Sequence, residues 1–180
     1  KIINKIIKPT LKGLSDLGTQ YQGFLYAGLM IVENEPYLIE YNVRMGDPEC
    51  QTIIPKIKTD LIDIFLSCCN QSLDNLNIEW EDKKSLCVVL CSNGYPENFK
   101  KNVEIKNLDK MILGKNDFLF HAGTLAKKNK VYAVGGRVLN FVSITNDFKQ
   151  ARENIKNHLK KLNWSEGFYR EDIGHKVIEK

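Results

Sequence analysis

A polar stretch at Asp74–Lys84 separates two regions with different hydrophobic periods, and that change of period constrains the fold more than any single residue. Before it, Ile2, Ile3, Ile6, Ile7, Leu11 and Leu14 recur near helical spacing, which predicts a helix over residues 1–17 that Pro9 kinks or restarts. Tyr21–Val32 and Tyr37–Arg44 read as paired strands joined by a turn at Glu33–Pro36. Two helices should follow, Pro48–Ile54 and Thr59–Leu73, broken at Pro55, with Thr59 as the N-cap of the second. After the polar stretch, Leu86–Ser92 is an apolar strand running into Asn93-Gly94-Tyr95-Pro96. Phe118–Phe120 and Val131–Ile144 are further strands, the latter interrupted by Gly135-Gly136. Phe148, Ala151, Ile155, Leu159 and Leu162 place a helix over Asn146–Leu162. The expectation is an α+β chain in two parts, 1–74 and 85–180, joined by a linker at 75–84.

Composition narrows the class. A chain of 180 residues, 43% hydrophobic and 27% charged, can bury a core like an ordinary globular protein. No apolar run approaches the roughly 18 residues that span a bilayer, and the first residues lack a signal-peptide pattern. The chain opens without Met on what reads as the middle of an amphipathic helix, so it is expected to be the C-terminal part of a longer one. Its five cysteines form no C-x-x-C pair and no zinc spacing, which fits reduced thiols in a cytoplasmic protein. The net charge of +4 divides unevenly: residues 1–80 carry seven Lys/Arg against ten Asp/Glu, and residues 81–180 carry nineteen against twelve. Those cations are mostly Lys scattered among acids, with no basic aromatic stripe, so the pattern argues against a nucleic-acid footprint.

The chemistry concentrates in Glu40-Tyr-Asn42-Val-Arg44-Met-Gly46-Asp47-Pro48-Glu49. If the apolar approach Tyr37-Leu38-Ile39 is a strand, alternation puts Glu40, Asn42 and Arg44 on one face. A carboxylate and an amide oxygen suit a hard cation shared with a nucleotide. The Arg44 fork suits a phosphoryl oxygen. Gly46 permits a tight turn, Asp47 can cap, Pro48 fits a first helical turn, and Glu49 falls near the helix's positive end. Spacing alone leaves the alternative open that this is the wet face of an amphipathic strand.

Together with Tyr21-x-Gly23-x-Leu25-Tyr26-Ala27-Gly28-Leu29-Met30, Gly94-Tyr95-Pro96, Phe120-His121-Ala122-Gly123-Thr124, Gly135-Gly136-Arg137-Val138-Leu139 and Tyr169-Arg170-x-Asp172-Ile173-Gly174, this stretch resembles the C-terminal part of the glycinamide ribonucleotide synthetase family, phosphoribosylamine–glycine ligases of the ATP-grasp superfamily. The ordered set covers nearly the whole chain. The resemblance implies the C-terminal half of an ATP-grasp domain, an antiparallel sheet with helices, followed by a small mixed α/β C-terminal domain. It implies a reaction in which ATP phosphorylates the glycine carboxylate and the 5-phosphoribosylamine nitrogen attacks the glycyl phosphate. Phosphoryl transfer of this kind rests on positioning and charge neutralisation, so no nucleophilic triad is expected.

Carried over by position, Glu40 and Asn42 would hold Mg²⁺ or Mn²⁺ on the ATP phosphates, and Arg44 would neutralise the transferred group. Asp47 and Glu49 would orient the amine or glycine end. Gly135, Gly136 and Arg137 would receive the ribose phosphate or glycine carboxylate, the alternative being a β-bulge with an incidental Arg. Ala133-Val134 stand where the family usually has a polar pair, so side chains before the glycines are not assigned to substrate. His121 reads as structural and Arg170 with Asp172 as a surface ion pair. The expected partners are glycine, 5-phosphoribosylamine and ATP, together with a missing N-terminal part of the same chain that carries the ATP lid; neither nucleic acid nor membrane is expected. These 180 residues alone should not turn over. A different ATP-grasp carboxylate–amine ligase is the nearest alternative, and a basic nucleic-acid-binding module a more distant one.

Overall fold

The computed structural model describes residues 1–178. Its helices are α1 (Lys8–Asp16), α2 (Glu49–Ile53), α3 (Leu61–Cys69), α4 (Phe148–Leu162) and α5 (His175–Ile178). Its strands are β1 (Tyr26–Val32), β2 (Glu35–Asn42), β3 (Lys84–Ser92), β4 (Val103–Glu104), β5 (Asp117–His121), β6 (Thr124–Lys127), β7 (Lys130–Ala133), β8 (Arg137–Thr145) and β9 (Gly167–Phe168). They form two compact units, residues 1–47 with 57–79, and residues 48–56 with 80 onward. Residues 48–56, which sequence reasoning kept with the first part, therefore belong to the second. The reason is packing: α2 lies against β3 and β8.

In the first unit a π-helical turn, Ile3–Ile7, precedes α1, and the Lys8 N–H reaches the Ile3 carbonyl five residues back. Pro9 follows directly, in the first turn of α1. A proline has no N–H to give and crowds the carbonyl four residues upstream, so the wide turn is where this helix accommodates it. Strands β1 and β2 are antiparallel. Their loop is Glu33-Asn34 alone, with φ of +50° and +62°, the left-handed pair that a two-residue hairpin turn requires. Pro36 is thus a strand residue, tolerated because β2 has a single neighbour. Residues 21–25 lie outside the strand: Gln22 donates to the carbonyls of Cys68 and Cys69 at the end of α3, and Phe24 meets Phe65 edge-on at 5.9 Å. Gln22 thereby bonds the Cys69 carbonyl, which the helix terminus leaves open, and shares that of Cys68 with the backbone beyond the helix.

The hairpin is not regular. Gly28 pairs with Glu40 but Leu29 pairs with Leu38, so Ile39 is a bulged extra residue. Directly paired residues point the same way, so Leu38 and Glu40, two apart in sequence, face opposite sides. Asp60, not Thr59, caps α3 by accepting from the Ile62 N–H at 2.7 Å. Thr59 Oγ1 instead accepts from the Glu79 N–H at 2.8 Å and holds the chain beyond α3. Among the described residues of this unit, only Ile6 and Ile64 are buried hydrophobics, while Met30, Ile31, Val32, Tyr37, Leu38 and Ile39 are exposed on the hairpin.

The second unit carries the larger core. Its main sheet has the order β5-β8-β3-β9, all antiparallel, beside a three-stranded sheet β4-β7-β6. Helix α4 presents Ala151, Ile155, Leu159 and Leu162 to Leu86, Val88 and Leu90 of β3 and to Leu139 and Phe141 of β8. Each of the larger side chains among these, fully buried, stabilises the fold by roughly 1.5–3 kcal/mol before entropy is counted. The helix starts at an Asp147 N-cap, whose carboxylate accepts from the Gln150 N–H at 2.8 Å, and stops at Asn163 in the left-handed region. The single interrupted strand expected over Val131–Ile144 is two strands in different sheets, and Gly135-Gly136 is where the chain leaves one for the other.

Candidate functional site

The metal-and-phosphate stretch divides at the unit boundary: Glu40, Asn42, Arg44 and Asp47 belong to the first unit, Pro48 and Glu49 to the second. Within β2, Glu40 and Asn42 come together, the Asn42 amide donating to Glu40 Oε1 at 3.1 Å. The Glu40 side chain lies across Gly28 on β1, where a Cβ would stand 3.0 Å from Glu40 Cγ. Glycine at 28 therefore gives the carboxylate its place. Two oxygen-bearing side chains on one face, with one formal negative charge, fit a hard divalent cation that takes its other ligands from phosphates and water.

Arg44 departs from the expected alternation. Strand β2 ends at Asn42, the backbone bends through Val43 and Arg44, and the exposed Arg44 guanidinium donates to the Met45 carbonyl at 2.9 Å. The chain turns there, and Gly46, two residues on, is buried. Pro48 is the N-cap of α2, which has only five residues, too short for a strong terminal dipole.

In the second unit, motifs separated by up to 80 residues converge. Gly123 and Gly135 lie back to back, and a Cβ on Gly135 would fall 2.9 Å from the Gly123 Cα. The Gly123 carbonyl accepts from the Val134 and Gly135 N–H groups at 2.8 and 3.1 Å, and its N–H donates to the Arg137 carbonyl at 2.8 Å. A Cβ on Gly136 would overlap the Tyr95 ring. Ser92 clamps the bend, its N–H donating to the Gly136 carbonyl at 2.8 Å and its hydroxyl to the Gly135 carbonyl at 2.9 Å. Each glycine thus has a packing reason, and the Gly135 N–H is already engaged.

Arg137 opens β8 and lines a cleft of about 400 Å³ with Pro48, Cys91, Tyr95, Phe168 and Arg170. This is the sheet face opposite α4, so the buried Cys87 and the half-buried Cys91 border the cleft from the sheet. Burial pushes the Cys91 thiol up, and the Arg137 charge pulls it partly back. Arg170 also makes a two-pronged pair with Asp172, Nε to Oδ1 at 3.0 Å and Nη2 to Oδ2 at 2.7 Å, on exposed side chains. The surface pair expected from sequence is present, and the same arginine borders the cleft. A larger groove of about 490 Å³, along residues 104–110 and 129–131, holds none of these motifs.

His121, at the end of β5, bonds Thr124 Oγ1 through Nδ1 at 2.9 Å, and His175 Nδ1 donates to the Asp172 carbonyl at 2.9 Å. The third histidine escaped sequence reasoning. His158 is 8% exposed on the apolar face of α4, with Nε2 on Asp117 Oδ2 at 2.9 Å. Ser143 donates to Asp117 Oδ1 at 2.6 Å, and Asn154 Nδ2 donates to the Ser143 hydroxyl at 3.2 Å. Both the hydroxyl and the imidazole end on the carboxylate, so no base faces a nucleophile; the cluster ties β5, β8 and α4 together. Its sequence signal was the spacing Ile155-His158-Leu162, which continues the helix's buried stripe. Among the described residues, no group of three or more His, Cys, Asp and Glu could hold a metal on its own.

Against known proteins, the family model described as phosphoribosylglycinamide synthetase, C domain, matches residues 85–176, and that of the ATP-grasp (A) domain matches residues 1–50. The phosphoribosylamine–glycine ligase of Brucella melitensis is 40% identical over all of this chain and 42% of its own length. That of Caldanaerobacter subterraneus is 42% identical over 96% of this chain and 41% of its own. A crystal structure of phosphoribosylamine–glycine ligase from Thermotoga maritima superposes with a TM-score of 0.74 at 31% identity, covering 96% of this chain and 42% of that one. The chain thus spans about two fifths of the length of these relatives.

Proposed function

Since the chain belongs to the phosphoribosylglycinamide synthetase family, we propose that it supplies the metal–phosphate face and the C domain of an enzyme that joins glycine to 5-phosphoribosylamine with ATP. The observation that carries this reading is the pairing of Glu40 and Asn42 over Gly28, a two-oxygen face built for a shared cation. Bound there, Mg²⁺ or Mn²⁺ would supply charge neutralisation for the ATP phosphates. Arg44 exchanges its contact with the Met45 carbonyl for a phosphoryl oxygen, a charge-assisted bond in place of a neutral one. Asp47 and Glu49 orient the amine or glycine end. Arg137 receives the substrate anion, and Gly135-Gly136 hold it in place through their contacts with Gly123 and Tyr95 rather than by offering both amides.

The bare hairpin faces favour a larger assembly. A two-stranded ribbon is marginal alone, and its exposed apolar residues suit further strands from the part of the relatives that this chain does not cover. The chain alone would then not turn over. Its five unbridged cysteines fit a reducing, cytoplasmic setting.

The test is a chimera in which these residues replace the matching segment of the Caldanaerobacter enzyme. ADP release should depend on both glycine and phosphoribosylamine, and Glu40→Ala should lower it by roughly 10²–10³-fold, the scale of losing a group that stabilises transferring charge. A folded chimera indifferent to Glu40→Ala refutes the metal role. One that prefers another amino acid over glycine points to a different carboxylate–amine ligase.

A further inference from the structure

Away from the converging motifs, three segments of the second unit meet around a cleft of about 370 Å³. Lys56 comes from the turn after α2, Trp80, Lys84 and Ser85 from the approach to β3 and its start, and Phe148 from the first turn of α4. The two tryptophans of the chain are treated differently. Trp164 is buried and donates its Nε1–H to the Glu104 carbonyl at 3.1 Å, whereas Trp80 is 49% exposed at this cleft.

The two lysines here have no acidic partner among the described residues. Neither Lys56 nor Lys84 meets a carboxylate among the described residues, although other lysines of the chain do, as Lys130 does with Glu104 at 2.9 Å. Ser85 closes the floor of the cleft, its hydroxyl buried out of reach of a bound molecule. The nearby acids are engaged elsewhere: Glu81 with Lys83 at 3.7 Å, and Asp147 with the Gln150 N–H. Two aromatic rings and two ammonium groups without a carboxylate partner converge on one volume.

We propose that this cleft binds a planar aromatic anion of mononucleotide size, its ring against Trp80 and Phe148 and its phosphate between Lys56 and Lys84. Aromatic faces accept a flat ring of any base, and lysine ammonium groups attract phosphate as point charges. A cavity near the lower end of the usual ligand range of about 300–1,000 Å³ holds one such molecule and little more. The site uses none of Glu40, Asn42 or Arg137, so it stands or falls apart from the ligase reading.

The probe is AMP, added to the ¹⁵N-labelled chain up to about 5 mM, enough to fill most of a site with a Kd near 1 mM. The two indole N–H signals separate Trp80 from Trp164. AMP should move the Trp80 signal and leave that of Trp164, while adenosine and inorganic phosphate move it less. Lys56→Gln with Lys84→Gln should weaken AMP roughly tenfold, about 1.4 kcal/mol, and leave the rest of the spectrum unchanged. Four results overturn the proposal: a Trp80 signal indifferent to AMP, adenosine as effective as AMP, phosphate as effective as AMP, or AMP affinity unaltered by the double substitution.

Discussion

Removing the Asp117 carboxylate should be among the costliest single changes in the second unit, although no ligand touches it. Its oxygens accept from Ser143 at 2.6 Å and from His158 at 2.9 Å, and the Asp117 and His158 side chains are each only 10% exposed. Asp117→Ala leaves both donors buried without an acceptor, at roughly 1–3 kcal/mol each, so the loss should reach about 3–5 kcal/mol. Asp117→Asn keeps one acceptor oxygen and should cost about half as much. The pH dependence is a second signature. Burial pushes the carboxyl up, but the hydrogen bonds from Ser143 and His158, the His158 charge and the Gly114 backbone outweigh it and hold it below its ordinary value. The native state therefore binds that proton less tightly than the unfolded chain. The stabilisation is full above the unfolded value of about 3.9 and is lost as pH falls through the lower folded value. Urea unfolding followed by far-UV circular dichroism and by the buried Trp164, at neutral pH and stepwise into acid, reads both effects. Stability within about 0.5 kcal/mol of the parent for Asp117→Ala, the scale of an ordinary surface substitution, would refute the reasoning. So would an acid slope that the substitution leaves unchanged.

Gly136→Ala should destabilise by roughly 1–3 kcal/mol through overlap with the Tyr95 ring. Tyr95→Ala in the same chain should recover part of that loss, so additive effects in thermal unfolding would contradict the contact. Iodoacetamide at mildly alkaline pH should label the exposed Cys69 first and Cys91 roughly tenfold or more slowly, because burial raises the Cys91 thiol and limits access. Peptide mapping that finds Cys91 modified as fast as Cys69 would count against the burial of Cys91.

Legibility in the sequence followed the range of the forces. Helix α4 was readable because its apolar stripe is local and continuous, and so was the strand at Leu86–Ser92. Glu40 and Asn42 share a face because β2 is regular from one to the other. Arg44 lies beyond the last paired residue, and nothing in an alternating pattern announces where a strand stops pairing. Thr59 and Asp60 are both good caps by type, and the choice between them was made by Glu79, twenty residues away. The purpose of the glycines was hidden for the same reason: Gly123, Gly135 and Tyr95 are adjacent only after folding. His158 was overlooked because a histidine in a Lys-rich helix looks solvated until Asp117 is brought to it from β5.

The bulge at Ile39 makes pairing register a determinant of which side of the hairpin Glu40 and Asn42 occupy. Leu38 and Glu40 differ by two positions yet face opposite sides, because one residue between them is left out of the ladder. Any substitution at 39 that keeps the bulge leaves Glu40 over Gly28. Deleting Ile39 would make Leu38 and Glu40 neighbours in a regular ladder, and alternation would still put Glu40 opposite Gly28 and away from Leu38. Losing the bulge at unchanged length would instead pair Glu40 with Ala27 and turn it, with Asn42, to the side of Leu38. An alternating pattern read straight through residue 39 therefore assigns these residues to the wrong side of the sheet.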